Sequence, residues 1–178
     1  MKTLINLSKI VRSRRRFLTS LVLLPLLGVF GCSDAKESNI LTVEHLAQLA
    51  IEAKEKNIPI MLFVTAPYCG YCHQLERDVI VPMLKNPRYA PLVLVRRFDL
   101  SKDSITDFDG NTKDSMRIAT RYKAQLTPTL VFLSPDGQQL TEHILGVAAD
   151  LDLYGGMIDT RINQALKKLG NTQEIVHH

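Results

Sequence analysis

The run Ile60-Met61-Leu62-Phe63-Val64, followed by Ala66-Pro67-Tyr68-Cys69-Gly70-Tyr71-Cys72-His73, constrains this chain more than any other stretch. A short apolar run bounded by turn formers reads as a buried strand. The residues after it, Gln74-Leu75-Glu76-Arg77-Asp78-Val79-Ile80, read as an amphipathic helix. Two cysteines therefore stand where a strand turns into a helix. The first turn of a helix presents unpaired N–H groups and a partial positive charge. A thiolate placed there is stabilised, so its pKa falls and it becomes a nucleophile at neutral pH. Cys72 lies one turn beyond Cys69, close enough to close a small disulfide. These residue types in this order point to a thiol–disulfide exchange site.

The chain has 178 residues, enough for one domain with a substantial core, and 46% of them are apolar, as in a globular protein. The formal net charge of +4 misleads. Lys2, Lys9, Arg12, Arg14, Arg15 and Arg16 all fall in residues 1–31, which hold no acid. Without those six of the 22 bases, 16 basic residues face 18 acidic ones, a net charge of −2. Nothing in that balance points to nucleic acid as a partner. With three cysteines a disulfide framework is not available. Cys32 is left over from the Cys69/Cys72 pair and needs its own explanation.

The basic N-terminus leads into Leu18 to Phe30, an apolar run of 13 residues interrupted by Pro25. That is short for a bilayer span and right for the core of a signal peptide. Ser13-Arg14-Arg15-Arg16-Phe17-Leu18 is similar to the twin-arginine export motif, with an ordinary arginine-rich secretory segment as the alternative. Val29-Phe30-Gly31-Cys32 resembles a bacterial lipobox, which implies cleavage before Cys32 and a diacylglycerol on its sulfur. Cleavage after Ala35 would discard that cysteine instead. The expected organisation is a signal peptide over 1–31, a lipidated tether over 32–40 and a folded domain over 41–172. The expected place is the bacterial periplasm, with the domain held to a membrane by Cys32 or exported soluble if the lipobox fails.

Along the domain, Thr42 is placed to cap a helix from Val43 to Lys56, with Leu46, Leu49, Ala50 and Ala53 at helical spacing. Pro59 to Thr65 is the first strand. The motif helix runs from Gly70 to Leu84 with Leu75, Val79, Ile80 and Met83 as its buried stripe, and Pro82 should kink it. A second strand covers Leu92 to Phe98, followed by a polar, acidic connection from Asp99 to Thr112. A third helix spans Lys113 to Lys123, and a strand covers Thr129 to Leu133. Ser134-Pro135-Asp136-Gly137 signals a turn into a hairpin partner over Gln138–Leu145. The last helix runs from Leu151 to Leu169, with Leu153, Tyr154, Met157, Ile158, Ile162, Ala165, Leu166 and Leu169 on one face. The order is helix, strand, helix, strand, helix, strand, strand, helix. It predicts an α/β domain whose first two strands are parallel and whose last two form an edge hairpin.

A strand, then Cys69-Gly70-Tyr71-Cys72 opening a helix, then Thr127-Pro128 before a later strand, then a hairpin and a terminal helix, resembles the thioredoxin fold over residues 40–170. The resemblance implies a central mixed sheet of about four strands flanked by helices, with an extra N-terminal helix. It also implies a cis bond at Thr127–Pro128 beside the cysteines, leaving the Thr127 backbone to pair with an extended substrate. The Cys-Gly-Tyr-Cys motif, the acidic stretch and the Tyr154 region look most like extracytoplasmic bacterial members. This chain departs from the family in two places. Tyr68 stands where a tryptophan is usual, and Phe63 stands where cytosolic thioredoxins carry a buried aspartate. Glu76, four residues past Cys72, is a candidate substitute for that acid; the alternative is a solvated helix glutamate.

The chemistry expected is attack by a Cys69 thiolate on a disulfide, with Cys72 as the resolving thiol. His73 would add a cation when protonated. Tyr68 and Tyr71 would form an apolar collar, and the Gly70–Tyr71 pair would tune the potential. That dipeptide resembles periplasmic isomerases and reductases, so the expected activity is reduction of protein disulfides by a monomer recharged by a membrane electron donor. No cofactor beyond the Cys69–Cys72 disulfide is expected. Oxidase or isomerase activity is one alternative. A copper chaperone holding Cu(I) on Cys69, Cys72 and a histidine is another. Cys69 to His73 also spells the haem c attachment pattern, which the preceding buried strand argues against. Asp107-Phe108-Asp109-Gly110-Asn111 faintly resembles a calcium loop, but turn use suits it better.

Overall fold

The computed structural model describes residues 40–176. The expected signal peptide over 1–31, most of the expected tether, Cys32 and the terminal pair His177–His178 lie outside the described residues. Within them the order is α1 (Leu46–Lys56), β1 (Ile60–Thr65), α2 (Gly70–Leu75), a π-helical turn (Glu76–Ile80), α3 (Val81–Lys85), β2 (Leu94–Asp99), β3 (Ile105–Thr106), β4 (Thr112–Lys113), α4 (Ser115–Arg121), β5 (Thr129–Leu133), β6 (Ile144–Leu145) and α5 (Leu151–Lys168). Four strands form one sheet in the order β2-β1-β5-β6. β1 and β2 are parallel, with Phe63 opposite Arg97 and Thr65 opposite Asp99. β5 runs antiparallel to β1, and β6 antiparallel to β5. This is the thioredoxin-like α/β fold with a mixed four-strand sheet and an added N-terminal helix. β1 is buried at every position, as a strand paired on both edges and covered on both faces must be. Phe63, Phe98, Phe132 and Tyr154 are the largest side chains sealed in the core.

Several boundaries differ from the sequence reading. Thr42 caps nothing: it pairs with Arg97 along the free edge of β2, where Val43 N–H donates to Arg97 O and Arg97 N–H donates to Leu41 O, each at 2.9 Å. The edge of a sheet carries unpaired donors and acceptors, and residues 41–43 satisfy them before α1 can begin. Around Pro82 the motif helix is irregular, as the expected kink there requires some change in the hydrogen-bond ladder. The turn before it widens, so that Val81 N–H reaches back to Glu76 O. A π turn makes room where a proline ring would otherwise strike the carbonyl four residues earlier. The motif stripe Leu75, Val79, Ile80 and Met83 is buried as expected.

The acidic stretch 99–112 is not a plain connection. It holds the β3–β4 hairpin, whose Asp107 carboxylate is sealed from solvent. Lys113 Nζ donates to Asp107 at 2.6 Å, Arg121 Nη2 donates to the same oxygen, and Phe108 N–H donates at 2.8 Å. The partner of β5 is also shorter than Gln138–Leu145. Only Ile144–Leu145 pair as a strand, and Gln139 makes an isolated bridge to Leu133. On α5, Tyr154, Ile158, Ile162, Ala165 and Leu166 are buried, but Leu153 and Met157 face solvent. Their stripe lies one position off the face that meets the sheet. Past α5 the chain turns back: Asn163 Nδ2 donates to Ile175 O at 3.0 Å and Ile175 N–H donates to Asn163 Oδ1 at 2.7 Å, while Ile175 is buried.

Candidate active site

Cys69 is the N-cap of α2, with extended backbone angles. Its carbonyl accepts from Cys72 N–H at 3.0 Å and His73 N–H at 3.2 Å, and its Sγ accepts from Cys72 N–H at 3.2 Å. Cys69 and Cys72 are joined by a disulfide, with S–S 2.02 Å and Cα–Cα 5.2 Å. Cys72 is 3% exposed, whereas Cys69 is only partly buried. Cys69, at the helix start, is thus the less buried of the two, packed partly against the core, and Cys72 is shielded within it.

The residues before Cys69 make a tight turn. Cys69 N–H donates to Ala66 O at 3.3 Å, Pro67 takes the second position and Tyr68 the third, with φ 63°. Proline followed by a positive φ is the type II pattern, which favours glycine at the third position. A tyrosine there costs roughly 1–2 kcal/mol of backbone strain. Its side chain is fully exposed. Tyr71 is also largely exposed, and His73 is exposed on the first turn of α2. Gly70 sits in open space, where an added Cβ would meet nothing within 4 Å, so sterics do not demand glycine between the cysteines.

Thr127–Pro128 is a cis peptide. Thr129 pairs with Val64, so Pro128 lies one step further on, beside the end of β1 that leads into the cysteine turn. Behind it, Pro128 O accepts from Gly146 N–H at 2.8 Å, and Gly146 O accepts from the Tyr154 hydroxyl at 2.8 Å. Burial raises the Tyr154 pKa, so the phenol keeps its proton and remains a donor. Gly146 takes φ 76°, which glycine adopts freely. Sequence reading singled out Thr127, Pro128 and the Tyr154 region, but not the hydrogen bonds that run through Gly146.

Glu76 is not a solvated helix residue. It is 9% exposed, and its carboxylate accepts from Arg97 Nη2. It stands one turn past Cys72, and Glu76 N–H donates to Cys72 O. Arg97 reaches it from β2, where it lies opposite the fully buried Phe63. This buried acid one turn past Cys72 thus belongs to the motif helix, and its counter-ion to β2. Arg97 was missed at the sequence level. The available signal was a pair of arginines, Arg96 and Arg97, inside an otherwise apolar strand, since charges in such a strand are rarely buried without a partner. Among the described residues no group of three or more His, Cys, Asp or Glu side chains converges where it could hold a metal ion. No helix among them is long and apolar enough to cross a membrane.

The chain is similar to several solved structures. The chain aligns with a DsbH oxidoreductase at 18% identity and TM-score 0.50, over 72% of this chain and 88% of that one. It aligns with a mutant thioredoxin from Halobacterium salinarum at 24% identity and TM-score 0.46, over 68% and 89%. A thioredoxin-like protein from Clostridium perfringens aligns at 18% identity and TM-score 0.44, over 85% and 98%. No curated protein matches the chain. The family model described as thioredoxin-like domain matches residues 46–151, which is more than half of the chain. On that match, and with a cysteine pair closed at the head of the motif helix, this chain belongs to the thioredoxin-like domain family.

Proposed function

We propose that the chain is an extracytoplasmic thiol–disulfide oxidoreductase that reduces disulfides in proteins. Its general class, thiol–disulfide exchange, is supported by the family and by the Cys69–Cys72 disulfide. The observation that carries the reading is the asymmetry of that pair, with Cys69 at the helix start and partly exposed and Cys72 shielded. In the reduced protein, the Cys69 thiolate attacks one sulfur of a substrate disulfide, and the other substrate sulfur leaves as a thiolate. A mixed disulfide joins Cys69 to the substrate. Cys72, deprotonated, then attacks Cys69 Sγ and releases the second substrate thiolate, leaving Cys69–Cys72 oxidised. Two electrons have passed to the substrate, and a membrane donor restores the dithiol.

Tyr68, Tyr71, Thr127 and Pro128 line the approach, and His73 adds charge beside the thiolate when protonated. The leader over residues 1–31 and the lipobox-like Val29-Phe30-Gly31-Cys32 support export and anchoring at Cys32. Reduction is favoured over oxidation by the Gly70–Tyr71 pair alone, so direction has its own test. Equilibration with glutathione should give a potential near that of thioredoxin, about −270 mV; a value near the strong periplasmic oxidases, about −120 mV, reverses the direction. Cys72→Ala should accumulate mixed disulfides on Cys69 that mass spectrometry identifies. Absence of adducts with every protein disulfide offered sinks the exchange reading.

A further inference from the structure

The pairing of residues 41–43 sets the direction in which the chain enters the domain. Thr42 bridges Arg97 in parallel, and β1 and β2 both run toward the cysteine turn. The chain therefore enters from the opposite end of the sheet. Only eight residues separate Ile40 from Cys32, a reach of at most about 30 Å. That opposite end is basic. α1 closes on Lys54 and Lys56, α5 on Lys167 and Lys168, and Lys85 and Arg88 lie at the end of α3 and just past it; all six are exposed. The C-terminal tail ties these helix ends together, since Asn171 Nδ2 donates to Asn57 O at 2.8 Å and Arg88 Nη1 donates to Val176 O at 3.3 Å. The exposed acids among them are Glu55, Asp136 and Glu174, three against six bases. Glu52, one turn back on α1, is shared by Lys56 and Arg96. At the cysteine end the balance reverses, with Asp99, Asp103, Asp150 and Asp152 against Lys102. The lysines also offset the negative ends of their helices, a local role that leaves their ammonium groups in solvent.

We propose that this basic end is a membrane-docking surface that rests on anionic phospholipid headgroups, so that the domain holds Cys69 and Cys72 away from the bilayer. This rests on the anchoring at Cys32 proposed above. Clustered lysines and arginines are drawn to an anionic leaflet, and the attraction fades within a Debye length, about 8 Å at physiological salt. A short tether keeps the basic end close enough to sample that range. The same leaflet repels the acidic cysteine end, which fixes the orientation. Substrate then meets Cys69 from the aqueous side.

Lysine access tests this on the mature chain, purified from membranes with its own anchor and added to preformed vesicles. One set is phosphatidylcholine alone, and the other mixes in phosphatidylglycerol. A membrane-impermeant acetylating reagent, read by mass spectrometry, reports the reactivity of each lysine. Relative to Lys102 in the same sample, Lys54, Lys85 and Lys167 should react at least about threefold more slowly on the mixed vesicles than on phosphatidylcholine. About 1 M salt, where the Debye length is about 3 Å, should erase that protection. The triple variant Lys54→Gln/Lys85→Gln/Lys167→Gln lies wholly on exposed positions, and in it the protection of Lys56 should be lost. Equal slowing of Lys102, no difference between the two vesicles, or protection of Lys56 that survives the triple variant overturns the proposal. An intact mass showing no diacylglycerol on Cys32 removes the anchoring reading and this inference with it, whereas an anchored chain without lysine protection removes this inference alone.

Discussion

Replacing Asp107 with asparagine tests the one fully sealed carboxylate that ties the β3–β4 hairpin to α4. Asp107 accepts from Arg121, from Lys113 at 2.6 Å and from Phe108 N–H at 2.8 Å. Burial pushes its pKa up, but the hydrogen bonds from Arg121, Lys113 and Phe108 outweigh burial and hold it below the ordinary carboxylate value. Removing one partner of a buried ion pair typically costs 3–5 kcal/mol. Here the loss should sit at the lower end, about 3 kcal/mol, because Arg121 is 43% exposed and can turn to water, and Lys113 keeps Asp109 at 2.6 Å. For a domain of this size that lowers Tm by roughly 10 °C. The folded-state pKa is depressed, so the stabilisation is complete above the unfolded value near 3.9 and fades as pH falls through the lower folded one. Urea unfolding followed by circular dichroism, at pH 7 and again near pH 3, measures both effects. The gap between wild type and Asp107→Asn should be widest at neutral pH and shrink on acidification. A gap under about 0.5 kcal/mol at pH 7, within the range of ordinary surface substitutions, or one that grows toward acid pH, refutes the reasoning.

Two further outcomes are expected. Glu76→Gln leaves Arg97 facing a neutral amide at a largely buried position one turn past Cys72, and should lower unfolding free energy by roughly 2 kcal/mol while leaving the disulfide able to form; a loss indistinguishable from zero in urea titration would mean that the pair contributes nothing. Tyr154→Phe removes the hydroxyl that donates to Gly146 O at 2.8 Å and should cost about 1 kcal/mol by thermal unfolding. The same variant should slow exchange with protein disulfides, because Gly146 also holds Pro128, and an unchanged rate would show that the loop keeps its shape without the phenol.

The strand over Ile60–Thr65, the strand over Thr129–Leu133 and the helix opening at Gly70 were all legible, because each carries a signal that short-range chemistry alone produces. Continuous apolar runs bounded by turn residues can only be central strands or buried helices, and a length of five or six residues decides for strands. Cys69 and Cys72 were legible for the same reason, since the local turn into the helix places them. The failures share a cause of the opposite kind. Val43 has good helical neighbours, yet the unfilled edge of β2 takes it. Leu153 and Met157 match the period of α5, yet period says which residues share a face and not which face meets the sheet. The stretch 99–112 looked like loop because its acids are common on surfaces, and only the approach of Lys113 and Arg121 makes a buried aspartate tolerable.

From its amino-acid order alone, this chain is committed to a strand that runs into two cysteines at a helix start, and through them to sulfur chemistry. That commitment is local: apolar runs, turn residues and the unpaired N–H groups of a first helical turn act within about a dozen residues of one another. Tertiary structure decided the rest. It shields Cys72 and leaves Cys69 partly exposed, draws Arg97 from a neighbouring strand to Glu76, and holds Pro128 from behind through Gly146 and Tyr154. Each of these joins groups far apart in the chain, and a buried charge or hydroxyl is stable only where another element brings it a partner.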